Sequence, residues 1–216
     1  MVPAPDSSRP DGVLEGRALS CRRGRRLLFE GLDISLPSGS VTWLRGANGS
    51  GKTSLMRILA GLSAPAAGEV LFRGQPLHQA GLAARAGITY IGHANALKDD
   101  LTLHEALAFL ARLADLPDPD AATAQGLRRF GLHGQRHAAV RTLSQGQRRR
   151  GALARLALDE APRCWILDEP YDALDQPSTA LLSALIGEHS GRGGAVLLTS
   201  HQAPTLSAMR EQVLAG

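Results

Sequence analysis

A chain of 216 residues that is 44% hydrophobic and 20% charged has the make-up of a globular protein with a sizeable core, which excludes a fibrous or wholly disordered one. Aromatics at 4% leave Leu, Ala, Val and Ile to fill that core and supply few stacking platforms for nucleic acid. The net charge of +4 rests on arginine, since Lys52 and Lys98 are the only lysines, and by itself it selects neither anionic lipid nor nucleic acid. Cys21 and Cys164 form no C-x-x-C arrangement and read as two reduced thiols, one in a buried strand. No leader sequence and no apolar run of bilayer-spanning length is expected, so work at a membrane would go through a partner.

In chain order, residues 1–12 are rich in Pro, Ser and Asp and predict a disordered tail, leaving 13–216 as a single domain. Alternation from Val13 to Leu36, with Gly24 as a turn, predicts two or three antiparallel strands. Ser40–Arg45 predicts a core strand, and a helix from Ser54 closes at Gly61. Gly68–Gly74 reads as an edge strand and Ile88–Gly92 as a buried one. Leu101–Leu116 carries leucines near helical spacing behind Thr102 as N-cap, and a further helix runs from about Ala121 to Phe130. With no strand-like run there, residues of about 93–160 predict an inserted helical subdomain, ending in a long helix from Ser144 to Leu158. Cys164–Leu167 and Ala195–Thr199 are short apolar strands around a helix from Gln176 to His189. Strands alternating with helices imply an α/β fold with a mainly parallel core sheet, an antiparallel β subdomain and ligands at the carboxyl ends of the strands.

Three stretches carry chemistry. Gly46-Ala47-Asn48-Gly49-Ser50-Gly51-Lys52-Thr53 fits G-x-x-x-x-G-K-S/T between a strand and a helix opening at Ser54, the setting of a phosphate-binding (P-loop) turn. Glycines let backbone N–H groups converge on an anion at a helix N-terminus. Lys52 would reach the β- and γ-phosphates of a nucleoside triphosphate, and the Thr53 hydroxyl would hold Mg²⁺. The strand ending in Asp168-Glu169 places one carboxylate for the Mg²⁺ shell and a second to orient or deprotonate water. Leu143-Ser144-Gln145-Gly146-Gln147 opens a helix with a hydroxyl and a glycine, a second anion site.

This last stretch resembles the LSGGQ signature of ATP-binding cassette (ABC) ATPases, with Gln145 in place of the first glycine. Signature, P-loop and Asp-Glu strand stand in that family's order, Leu174-Asp175 is similar to its D-loop, and His201 to its switch histidine. The resemblance implies the ABC ATPase form of the P-loop NTPase fold. It also implies a homodimer of cassettes in which each ATP lies between one P-loop and the partner's Ser144, Gln145, Gly146, Gln147 and Asp175. Glu169 would be the base and His201 the γ-phosphate contact. Two positions depart from the usual pattern. Arg23 stands where an adenine-stacking aromatic is common; it either stacks through its guanidinium or is a solvated member of an arginine run. His93 stands at the Mg²⁺-contacting glutamine, as a donor to the Mg²⁺ shell or as a plain loop residue.

Within the family, Leu-Ser-Cys-Arg-Arg from Leu19, Gly92-His93 before Leu97-Lys98, and Trp165-Ile166-Leu167-Asp168-Glu169-Pro170 resemble the ATP-binding subunits of haem exporters in cytochrome c maturation. That branch implies ATP and Mg²⁺, a separate CcmB-like transmembrane permease subunit, other cytochrome c maturation membrane proteins, and the cytoplasmic face of a bacterial inner membrane. Haem falls to the partners, because His133 and His137 read as surface residues. Rival readings are a cassette for another cargo, or a soluble ABC ATPase acting on nucleic acid or ribosomes. The run Arg148-Arg149-Arg150 predicts a solvated basic face.

Overall fold

The computed structural model describes residues 12–81, 86–206 and 208–214, so the expected tail lies outside it except for Gly12, which opens the first strand. Strands β1 (Gly12–Arg23) and β2 (Arg26–Pro37) pair antiparallel through a tight turn at Gly24. The core strand β3 (Val41–Arg45) leads through the glycine loop into helix α1 (Lys52–Leu59), which begins two residues earlier than the apolar pattern suggests. Strands β4 (Ala67–Phe72) and β5 (Gln75–Pro76) join β1 and β2 in a four-stranded sheet of order β2-β1-β4-β5.

After β6 (Ile88–Ile91) the chain turns helical: α2 (Leu103–Leu113), α3 (Pro119–Arg129) and α4 (Gln145–Ala154), the last followed by a 3-10 turn at Arg155–Ala157. Thr102 caps α2 in a reciprocal capping box with Glu105, and Ser144 caps α4 in the same way with Gln147. The expected single helix from Ser144 to Leu158 is therefore an α-helix that tightens over its last turn. Strand β7 (Cys164–Leu167), helix α5 (Gln176–Gly191) and strands β8 (Ala195–Leu198) and β9 (Arg210–Val213) complete the second sheet. Its order is β6-β7-β8-β3-β9 and its pairings are parallel.

The parallel sheet is covered on both faces, so its strands read as unbroken apolar runs. Alternate residues divide between two cores: Leu44, Ile166 and Leu197 pack towards α1 and the antiparallel sheet, while Trp43, Trp165, Leu167 and Leu198 pack towards α5 and the helical section. His189 of α5 stacks on Trp165, ring centroids 3.5 Å apart, and bonds the Arg163 carbonyl at 2.8 Å, which fixes α5 on β7. Burial pushes the Cys164 thiol up to about 12, so it is an inert core residue, as expected. Edge strand β9 was not anticipated. Arg-Glu-Gln-Val is mostly exposed and lacks the apolar alternation that marks a strand.

Candidate functional site

Four chemistry-bearing segments leave the carboxyl ends of the parallel strands. The loop of Gly46–Gly51 departs from β3, the pair Asp168-Glu169 from β7, Thr199 and His201 from β8, and Gly92-His93 from β6. Two glycines are required by the geometry. A Cβ on Gly46 would lie 2.8 Å from the Leu214 carbonyl oxygen, and Gly51 adopts φ +102°, where a Cβ would press on Leu28 at 3.1 Å. Helix α1 starts at Lys52, so its first N–H groups lack intrahelical acceptors and face the loop. Lys52 Nζ donates to the carbonyls of Gly46 at 2.7 Å and Ala47 at 3.1 Å, folding the ammonium over that loop. Ser50 Oγ is buried and, among the described residues, has no hydrogen-bond partner.

A cavity of about 410 Å³ opens above the loop. It gathers Arg23, Asn48, Gly49, Gly51, Lys52, Thr53, Ser54, His93, Asp168, Glu169 and His201 from five separate stretches of sequence. Gly46 borders an adjoining cavity together with Lys52, Glu169 and His201. Arg26 and Leu28 of β2 also line the main cavity. Sequence reasoning missed them because it sought an aromatic beside Arg23 rather than an aliphatic one strand away. Ser144, Gln145, Gly146, Gln147 and Asp175 stand outside this cavity, at the N-termini of α4 and α5. Gly146 approaches the carbonyl of Ala173 in the loop before Asp175, so these residues share one surface.

Asp168 is 4% exposed, and its Oδ1 accepts the Thr199 hydroxyl at 3.0 Å. The same hydroxyl oxygen accepts the Glu169 N–H at 2.8 Å, so one buried threonine fixes both acids. Glu169 adopts φ +49°, a left-handed conformation that costs a non-glycine residue energy and persists only where neighbours enforce it. Burial pushes its carboxyl above the ordinary carboxylate range; His201 opposes this, and Asp172 and Asp168 add to it. His201 Nε2 lies 3.9 Å from Glu169 Oε1, and ligand atoms of Glu169, Asp172 and His201 fall within 4.8 Å of one another. His93 Nδ1 is 3.8 Å from Asp172 Oδ2 on an otherwise exposed side chain. Replacing Thr199 by valine leaves the Asp168 oxygen and the Glu169 N–H unpaired. The expected cost is about 1–3 kcal/mol of stability, read as a lowered Tm by calorimetry.

The basic run on α4 is not a solvated face. Arg148 pairs with Asp99 at 3.3 Å and bonds the carbonyls of Leu143 and Arg141, while Arg149 is 3% exposed. Three successive helical positions point about 100° apart, so at least one must face inward on a packed helix. A run of identical charges hides which one it is.

The ABC transporter family matches residues 29–172 of the chain. The chain is 45% identical over 196 residues to the "Cytochrome c biogenesis ATP-binding export protein CcmA" of Albidiferax ferrireducens, covering 91% of this chain and 93% of that protein. It is 46% identical over 198 residues to the protein of the same name from Dechloromonas aromatica, covering 91% and 96%. Among solved structures, an ATP-binding subunit of an ABC transporter superposes with a TM-score of 0.78 at 26% identity, over 88% of this chain and 79% of that one. A dimeric ATP-binding cassette bound to ADP and Pi superposes at 0.77 with 18% identity, over 88% of each chain, which is a likeness of fold. With its glycine loop, Asp168, Glu169 and His201 on one cavity, the chain belongs to the ABC transporter family of ATP-hydrolysing proteins, in the cytochrome c biogenesis branch that these relatives define.

Proposed function

We propose that this chain is the ATP-hydrolysing subunit of a membrane transporter for cytochrome c maturation, powering haem export or release of a haem-loaded periplasmic chaperone. The observation that carries the hydrolytic part is the convergence of Lys52, Thr53, Asp168, Glu169 and His201 on one cavity. The cytochrome c part rests on the relatives' names together with their 45–46% identity over 91% of the chain.

Two copies of the chain pair head to tail, each closing the other's site with Ser144, Gln145, Gly146, Gln147 and Asp175. Support for this comes from the exposed, capped N-terminus of α4 standing apart from the chain's own cavity. Lys52 and the α1 N-terminus neutralise the triphosphate, and Arg23 and Leu28 flank the adenine end. Mg²⁺ fits the oxygen donors Thr53 and Asp168, both on the cavity wall, with His93 beside them; bound there it would offset charge on the β- and γ-phosphates. Glu169 takes a proton from water as the water oxygen bonds the γ-phosphorus. The bond from that phosphorus to the β–γ bridging oxygen then breaks and leaves ADP. His201, 3.9 Å from Glu169, would contact the γ-phosphate beside the base. Loss of the γ-phosphate removes the bridge between the two copies, and opening of the pair is the work delivered.

No helix among the described residues is long and apolar enough to cross a membrane. In this reading the chain docks on a CcmB-like permease subunit at the cytoplasmic face of the inner membrane, and haem is handled by the partners. Affinity purification of the chain from membranes tests this. Recovery of a permease together with haem-handling maturation proteins is expected; recovery of a peptide, lipid or drug permease instead would overturn the haem assignment.

A further inference from the structure

Arg149 sits on α4 five residues after Ser144, about 7 Å along the helix axis. Its guanidinium is buried and, among the described residues, makes no salt bridge. Its Nη donors go mainly to backbone carbonyls instead, and its Nε has no partner among the described residues. Nη2 donates to Asp168 O at 3.2 Å and to Glu169 O at 2.5 Å. Nη1 donates to Gly92 O at 3.0 Å and to Asn95 Oδ1 at 3.4 Å. Burial pulls the guanidinium below its ordinary range, while Asp172, Asp168 and Glu169 work to keep it charged. A buried cation is costly to keep unless something needs its geometry. What this one touches is the carboxyl ends of β6 and β7, from which His93 and the Asp168-Glu169 pair depart.

Glu169 is thereby held from both sides. Its N–H is bound by Thr199 and its C=O by Arg149, and between those two anchors it keeps φ +49°. Relaxation towards ordinary backbone would break one of the anchors. A planar fork suits this task because Nη2 meets the two successive carbonyls after β7 while Nη1 reaches Gly92 after β6; the single nitrogen of an ammonium cannot hold both strand ends in that rigid geometry. The same fork is carried by the helix whose capped N-terminus is the signature segment. A displacement at Ser144 therefore reaches the Glu169 peptide through one helix and one side chain.

We infer that Arg149 is a positioning residue for hydrolysis: it locks Glu169 in its left-handed conformation and ties that conformation to the position of α4. Contact of Ser144 with ATP held by a second copy is then felt at this copy's own base. This rests on the paired-cassette reading above. It gives each site a mechanical report on whether the opposite site is filled.

The test compares the wild type with Arg149→Met and Arg149→Lys in the full-length protein. It measures Tm, ATP affinity by titration, kcat, and the Hill coefficient for ATP. Arg149→Met is expected to bind ATP as the wild type does, to lose roughly 100-fold in kcat through misplacement of the base, and to show a Hill coefficient falling to one. Arg149→Lys, which keeps the charge but puts all donors on one nitrogen that cannot span both strand ends, recovers part of kcat and little of the cooperativity. Wild-type kcat and cooperativity in a folded Arg149→Met protein would overturn the inference. Should the methionine variant not fold, full wild-type behaviour of Arg149→Lys does the same. A wild type that hydrolyses no ATP would instead sink the parent reading, so the two failures are told apart.

Discussion

Glu169→Gln is expected to lower ATP turnover by about 10²–10⁴-fold, the usual worth of a positioned general base, while ATP remains bound. Glutamine keeps the length and shape of the side chain, and the anchors on its peptide from Thr199 and Arg149 do not involve the carboxylate. What it loses is a proton acceptor. In the native chain burial holds that acceptor above the ordinary carboxylate range, which makes it a better base once ionised. The sign of the pH effect follows. Because the raised pKa applies to the folded protein, kcat falls on the acid side at a higher pH than an unperturbed glutamate would give. A chain that binds ATP but cannot cleave it stays in the closed pair, so size-exclusion chromatography with ATP should show a dimer that ADP does not support. Turnover at the native rate would remove Glu169 from the role.

Lys52→Ala acts a step earlier. The ammonium already bonds two carbonyls of the glycine loop, Gly46 and Ala47, so its reach is set before any phosphate arrives. A hydrogen bond from a charged donor is worth about 1.5–3 kcal/mol, which corresponds to roughly 10- to 100-fold in Kd. Titration calorimetry with ATP reads this directly, and an unchanged Kd would refute the assignment. The half-buried position of Lys52 makes unfolding of the variant a poor explanation of any loss.

The glycine loop before α1, the acidic end of β7 and the capped start of α4 could be read from sequence because each is local. Their residues are adjacent, and their physical demands on glycine, lysine, carboxylate and helix cap are met within a few positions. The parallel strands were legible for a related reason: burial on both faces writes an unbroken apolar run, as in Cys164–Leu167 and Ala195–Leu198. Edge strand β9 has one neighbour and little burial, so its formation depends on pairing with β3 and not on its own residues. The roles of Arg149 and Thr199 were hidden for a third reason. Each acts on groups far away in sequence, Thr199 on the Asp168 carboxylate and the Glu169 N–H and Arg149 on carbonyls at two strand ends, and a backbone N–H or carbonyl carries no residue identity to match. Leu28 and Arg26 were missed likewise, since only the pairing of β1 with β2 brings them beside Arg23 at the cavity wall.

The central claim is that each working site is assembled from two chains, the loop of one and the signature segment of the other. Mixing two impaired variants, Lys52→Ala and Ser144→Arg, at ATP levels where neither turns over alone, tests it most directly. Each homodimer carries a defect in both of its sites. Loss of the Ser144 cap costs α4 about 1 kcal/mol, too little to unfold the domain. In a mixed pair both defects fall in one site, and the other site joins an intact Lys52 to an intact Ser144. Recovery of ATP hydrolysis on mixing is the predicted result. Two folded variants that stay inactive together, at concentrations where they pair, would contradict a site shared between chains.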